Sequence, residues 1–162
     1  MIYDNSQVRR QARLLSEERA KELLRESEWG VLSMVDVDGE SAYGIPLNFV
    51  WDGDSALYIH CAKEGHKLRA LELHPRVSFT IVGKVQLQSA MLTTEYESVV
   101  MRGVANVHLN DSEKRKGLTL MVQKLCADHL EKAMQGIERS FAVVDVIRID
   151  LVTYSGKCKY MK

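Results

Sequence analysis

At 162 residues the chain is long enough to bury a core and short enough to form one domain. Lys plus Arg and Asp plus Glu number 22 each, and a formal net charge of zero argues against a broad nucleic-acid footprint. No apolar run approaches the roughly 20 residues that cross a bilayer, and Met1-Ile-Tyr-Asp-Asn5 lacks the basic-then-apolar order of a secretory signal, so the expected compartment is the cytoplasm.

Residues 1–15 are polar, carry Arg9, Arg10 and Arg13, and read as an arm, either flexible or strapped over a partner subunit. Residues 16–162 read as the single domain. Ser16 is a good N-cap, Glu17 and Glu18 suit the positive end of a helix dipole, and Ala20, Leu23 and Leu24 form an apolar stripe that Gly30 should end. Val31–Val35 reads as a strand, Asp38-Gly39 as a hairpin turn, and Ala42–Trp51 as a second strand. Pro46 lies inside that second strand and lacks a ladder donor, which places it at an edge or a bulge. Asp52-Gly53-Asp54 then turns the chain.

Leu57, Tyr58 and Ile59 are strand formers running into His60, Cys61 and Ala62. Gly65 frees the backbone, and Leu68, Leu71 and Leu73 follow at the spacing of a short helix. His60, His66 and Lys67 therefore lie beside the unpaired N–H groups of a helix start, where an anion can bind. His74-Pro75 breaks the pattern. Val77–Val82 is a strand closed by Gly83, residues 84–95 read as a partly extended loop, and Tyr96–Leu109 is a long strand. Asn110 and Glu113 have capping-box spacing, and Leu118, Met121, Val122, Leu125 and His129 mark one face of a helix of four or five turns. Phe141–Val152 is the last strand, after which the tail turns away. Tight hairpins and few crossover helices favour an antiparallel sheet closed as a barrel, with helices outside (α+β). Cys61, Cys126 and Cys158 show no CxxC pair and no zinc spacing, so they read as reduced thiols and no metal site is expected.

The order of motifs resembles the FMN-binding split-barrel superfamily, the fold of pyridoxamine 5′-phosphate oxidase, and within it the nitroimidazole-resistance (Nim-type) proteins. The likeness rests on Gly44–Phe49, Leu57–Ala62, Glu64–Lys67, His74–Phe79, Tyr96–Gly103, Asp145–Asp150 and Ser155–Lys157. It implies six-stranded antiparallel split barrels paired as a homodimer, with FMN at the subunit interface. By position, Gly65, His66 and Lys67 match the segment that grips the FMN phosphate, with His66 standing where many relatives have arginine. Pro46, Leu47 and Asn48 match the strand along the flavin ring. His60, Cys61 and Ala62 match the segment between ring and phosphate, and Ser98 and Val99 a strand from the second subunit.

In Nim-type relatives a histidine at this place faces flavin and substrate, so His60 is the catalytic candidate. The resemblance implies an FMN-dependent oxidoreductase passing electrons from a reduced nicotinamide to a nitroaromatic or similar small molecule. The chain has no GxGxxG motif, so the nicotinamide would visit the flavin rather than occupy a dinucleotide fold. The alternative is a split barrel that binds flavin or haem without turnover. Cys61 has no partnered base and reads as packing, while Trp29 and Trp51 read as core or interface anchors.

Overall fold

The structure, a computed structural model, describes residues 1–160. Among them β1 (Ile2–Tyr3), β2 (Trp29–Val35), β3 (Ala42–Asn48), β4 (Val50–Trp51), β5 (Ala56–Ala62), β6 (Arg76–Gln88), β7 (Thr93–Asn106) and β8 (Val144–Lys159) form one sheet. Helices α1 (Glu17–Glu26), α2 (His66–Leu73), α3 (Asp111–Leu125) and α4 (Leu130–Ser140) flank it. No helix among the described residues is long and apolar enough to cross a membrane.

An antiparallel sheet with flanking helices is what the sequence pattern led us to expect. The strand number is not: the sheet has 8 strands rather than six, in the order β3-β2-β6-β7-β8-β5-β4, with β1 parallel to β8. One extra strand is β1, in the segment read as an arm, and the other arises at Phe49. Its N–H leaves the ladder for the Glu28 carbonyl at 3.2 Å, which splits the expected strand 42–51 into β3 and β4. β3 pairs β2 and β4 pairs β5, so these two pieces are the ends of the sheet. Among the described residues, hydrogen bonds leave the sheet open, and the chain through Phe49 runs from one end of it to the other. Pro46 lies opposite Val31 on the terminal strand β3, where a missing N–H costs no ladder bond.

Other boundaries moved for identifiable reasons. α1 is capped by Ser16 as expected but ends at Glu26. Gly30 and Gly83, read as terminators, lie inside strands, where a Cβ would meet Phe79 Cε1 at 2.4 Å and Leu23 Cδ2 at 2.6 Å. Residues 84–95 are not a loop: β6 continues to Gln88 after a register shift between Val82 and Val85, and a tight turn at Ser89–Met91 leads into β7. The tail past Thr153 stays in β8, as far as a pairing of Lys159 with Tyr96. The expected long helix ends at Leu125, before His129, and α4 follows it where no helix was expected. The N-terminal arm lies along its own chain's β8, with the Tyr3 hydroxyl donating to the Leu15 carbonyl at 2.5 Å.

Two cores result. Leu24, Leu32, Phe49, Leu57, Ile59, Phe79, Ile81 and Met101 fill the barrel interior, while Tyr58, Leu118, Met121, Ile137 and Val146 pack between β5, β8 and the pair α3/α4. β5 therefore buries both faces through Ile59, which is why it reads as a near-continuous apolar run. Each large side chain so buried contributes about 1.5–3 kcal/mol. The capping box at α3 is half formed. Asn110 accepts from the Glu113 N–H at 2.9 Å, but the Glu113 carboxylate turns to the Tyr58 hydroxyl (3.1 Å) and Arg148 (3.0 Å).

Two lysines of α3 tie the helical layer down. Lys114, buried, donates to the Phe141 carbonyl at 2.7 Å and fixes the turn from α4 into β8. Lys124 donates to the Ser27 carbonyl at 2.5 Å, just past α1, and its amine lies 4.3 Å from the Phe49 ring centre. Burial brings the Lys124 ammonium down to about 8.

Candidate functional site

Strand alternation decides what the end of β5 presents. Leu57, Ile59 and Cys61 face the barrel interior, so Tyr58, His60 and Ala62 face out. Tyr58 is covered by α3, whereas His60 lies beyond that cover and is exposed. Three residues after Ala62 the chain reaches Gly65, with φ +157° and ψ 167°. A Cβ there would touch nothing within 4 Å, so glycine is required by the backbone conformation rather than by crowding. This bend starts α2, and no side chain caps its first turn. The free N–H groups and the positive end of the helix dipole are left for an anion.

The result is a groove of about 620 Å³. Pro46, Leu47 and Asn48 of β3 line it, together with His60, Cys61 and Ala62 of β5 and Lys67 of α2. Three segments far apart in sequence thus meet at one place, and the outer edge of β3 pairs with no strand. Lys67 supplies the positive side chain of the groove. The Asn48 side-chain amide donates to the Glu28 carbonyl at 3.1 Å, which leaves its carbonyl oxygen and the backbone for a ligand. Burial pushes the Cys61 thiol up to about 11, so it is protonated at neutral pH and packs rather than attacks.

The remaining residues singled out in the sequence lie elsewhere. The His66 ring turns to the β2–β3 hairpin, 2.5 Å from Asp36 Oδ1 and edge-on to Tyr43, and does not line the groove. Ser98, half-buried, lies opposite Val82 and Lys157 in the middle of the sheet, and Val99 is fully buried opposite Ile81 and Gly156. Neither lines the groove of its own chain.

Trp29, Val143 and Val144 line the groove and had not been singled out for it. Trp29 is 54% exposed, not a core anchor. Its position was readable: alternation in β2 puts Gly30, Leu32 and Met34 inside and Trp29 outside. Val143 and Val144 follow α4, a helix absent from the sequence reading although Leu130, Ala133, Met134 and Ile137 have helical spacing. With an anion-binding helix start and Lys67 at one end, an unpaired strand edge along one side and Trp29 with the valines beside it, the groove suits a flat molecule bearing one phosphate.

Several solved structures share this fold. A candidate 5-nitroimidazole antibiotic resistance protein from Bacteroides thetaiotaomicron is 20% identical, with 90% of this chain and 86% of that chain covered at a TM-score of 0.71. A conserved hypothetical protein from Mycobacterium tuberculosis is 16% identical over 94% of each chain, with a TM-score of 0.76. An FAD-binding protein from Mesorhizobium loti is 21% identical over 91% of this chain and 98% of its own, with a TM-score of 0.63. At these identities the likeness is one of fold. Among curated proteins no relative matches the chain. A sequence model of the family described as pyridoxamine 5′-phosphate oxidase matches residues 16–158, from the cap of α1 almost to the end of β8, and the chain belongs to that family.

Proposed function

We propose that the groove holds FMN and that the protein is an FMN-dependent oxidoreductase, using a reduced nicotinamide as donor and a nitroaromatic or similar small molecule as acceptor. The observation that carries this reading is the convergence of Pro46–Asn48, His60–Ala62 and Lys67 on one groove that ends at an uncapped helix start. The structural likeness to an FAD-binding protein and to a candidate nitroimidazole resistance protein is consistent with it.

Lys67 and the first N–H groups of α2 bind the phosphate. One lysine and one helix start match a single phosphate, which favours FMN over a dinucleotide. Backbone groups of Leu47 and Asn48 on the free edge of β3 orient the ring, and Trp29, Val143 and Val144 exclude water from it. When bound, FMN supplies the two-electron chemistry. His60, exposed at the rim, orients the acceptor and donates a proton to it. Ser98, half-buried and outside the groove of its own chain, would reach the site only from a second copy, and the reading includes a homodimer with the cofactor at the interface; Val99, fully buried in its own core, has no surface to offer a partner.

The test is the absorption spectrum of the purified protein before and after addition of FMN, followed by anaerobic mixing with NADH or NADPH and a nitroimidazole. Flavin bands, bleached by the donor and restored by the nitroimidazole, are expected. Bound FMN that stays oxidised with both donors overturns the enzyme. A Soret band would assign the groove to haem instead. Sedimentation tests the dimer, and a stable monomer that binds FMN fully contradicts the interface location.

A further inference from the structure

Behind His60 lies a second cavity, of about 310 Å³, between α3, α4 and the start of β8. Leu118, Met121 and Leu125 of α3, Ala133 and Ile137 of α4, and Val144 form its walls. His60 and Val144 border both this cavity and the groove, so the two spaces meet at the proposed catalytic side chain. Among the described residues, no lysine, arginine or carboxylate lines it. Ser140 reaches it, but the hydroxyl donates back to the Gly136 carbonyl at 2.8 Å. The side-chain hydrogen-bonding groups left to a ligand are the His60 ring, the weakly polar Cys126 thiol and the acceptor lone pairs of the Ser140 hydroxyl.

Gly136 is the second observation. It sits inside α4 and faces the cavity, although glycine is the worst residue for a helix interior after proline. Neither usual reason for it applies. Its φ is not positive, and a Cβ would meet nothing within 4 Å. Gly117 of α3 shows the contrast, since a Cβ there would run into Tyr58 Cδ1 at 2.7 Å. Gly117 serves close packing, whereas Gly136 serves open space.

We propose that this cavity takes the apolar body of the substrate, an uncharged molecule the size of one or two fused aromatic rings, whose reducible group lies at His60. Its volume is at the lower end of small-molecule pockets, about 300–1,000 Å³, and its walls match apolar matter with one polar end. The assignment of a substrate rests on the groove being the reaction site. A charged molecule is rejected because it would lose its hydration against walls that offer no counter-charge.

The experiment titrates the full-length protein with indole and with benzoate by calorimetry, and separately with FMN by fluorescence quenching. Wild type should bind indole about tenfold or more tightly than benzoate. Gly136→Leu and Ala133→Leu, which fill the cavity from adjacent turns, should each weaken indole about tenfold or more while FMN affinity stays unchanged. Retained FMN affinity also reports that a variant is folded. Unchanged indole binding in the filled variants, or no indole binding by wild type, overturns the cavity assignment. Failure of wild type to bind FMN overturns the flavin reading and is seen separately.

Discussion

His66 Nε2 lies 2.5 Å from Asp36 Oδ1, so the first side chain of α2 is tied to the end of the β2–β3 hairpin rather than turned into the groove. Lys67, one residue on, lines the groove. Adjacent positions on a helix differ by about 100° in direction, so these two side chains cannot serve the same ligand equally. His66 anchors the helix start, and Lys67 faces the groove.

The two histidine and lysine roles separate by mutation. Lys67→Ala removes a charge-assisted contact to phosphate and should weaken FMN by about 1.5–3 kcal/mol, roughly tenfold to a hundredfold. His66→Ala should change FMN affinity much less and should lower thermal stability instead, because the tie between the start of α2 and Asp36, which keeps the Val37 N–H, is lost. Flavin fluorescence titration of both variants checks this. A larger loss of affinity in His66→Ala than in Lys67→Ala would reverse the assignment.

His60 is exposed at the groove rim, so its removal disturbs no packing. His60→Ala should lower kcat for nitroaromatic reduction by about a hundredfold or more, the usual range for a lost proton donor, with FMN affinity retained. Stopped-flow reoxidation of the reduced protein measures this step apart from binding. Equal rates in variant and wild type would remove His60 from catalysis.

Acid stability should depend on Glu97. Its carboxylate is buried and gripped by a fork from Arg19, with Nε at 3.1 Å and Nη2 at 3.0 Å. The Arg19 hydrogen bonds, with a smaller contribution from Tyr160, hold the Glu97 carboxyl below its usual value of 4.5. A carboxyl with a depressed folded-state value contributes stability that is fully present above its unfolded value and is lost as pH falls through the folded one. Stability should therefore drop below about pH 4.5. Glu97→Gln should cost about 1.5–3 kcal/mol at pH 7 and show a shallower loss of stability as pH falls below 4.5 in urea titrations. An acid slope identical to wild type would show that other carboxyls carry the effect.

The two helical glycines should respond oppositely to alanine. Gly117→Ala drives a Cβ into Tyr58 and should destabilise by about 1–3 kcal/mol, the usual cost of overpacking. Gly136→Ala meets open space and should stabilise by up to about 1 kcal/mol through helix propensity alone. Thermal melts of the two variants read the difference in sign.

Local grammar carried much of this molecule. Ser16 and Asn110 cap their helices because a short polar side chain beside an apolar stripe satisfies free N–H groups wherever the helix ends up. Gly39 and Gly53 turn the chain with positive φ, and Pro46 sits on an edge, for reasons contained in single residues. The groove-lining segments Pro46–Asn48, His60–Ala62 and Lys67 were also legible, through the family likeness of their ordered motifs. The hairpin over residues 84–95 was not, since its turn carries neither Gly nor Asn and Leu92 takes the left-handed conformation itself. α4, by contrast, was legible and went unread: Leu130, Ala133, Met134 and Ile137 fall at i, i+3, i+4 and i+7, the spacing of one helix face.

At the junction from Ile59 to Leu71, then, the sequence by itself determined a strand, a glycine bend, a helix start and a nearby cation. Those follow from backbone sterics and alternation within a few residues. Which of His66 and Lys67 faces the groove depended on Asp36, some 30 residues away in the chain and next to His66 only after folding. The cavity behind His60 likewise exists only because α3 and α4 close over the exposed end of β5, and no local pattern records the space between two packed helices.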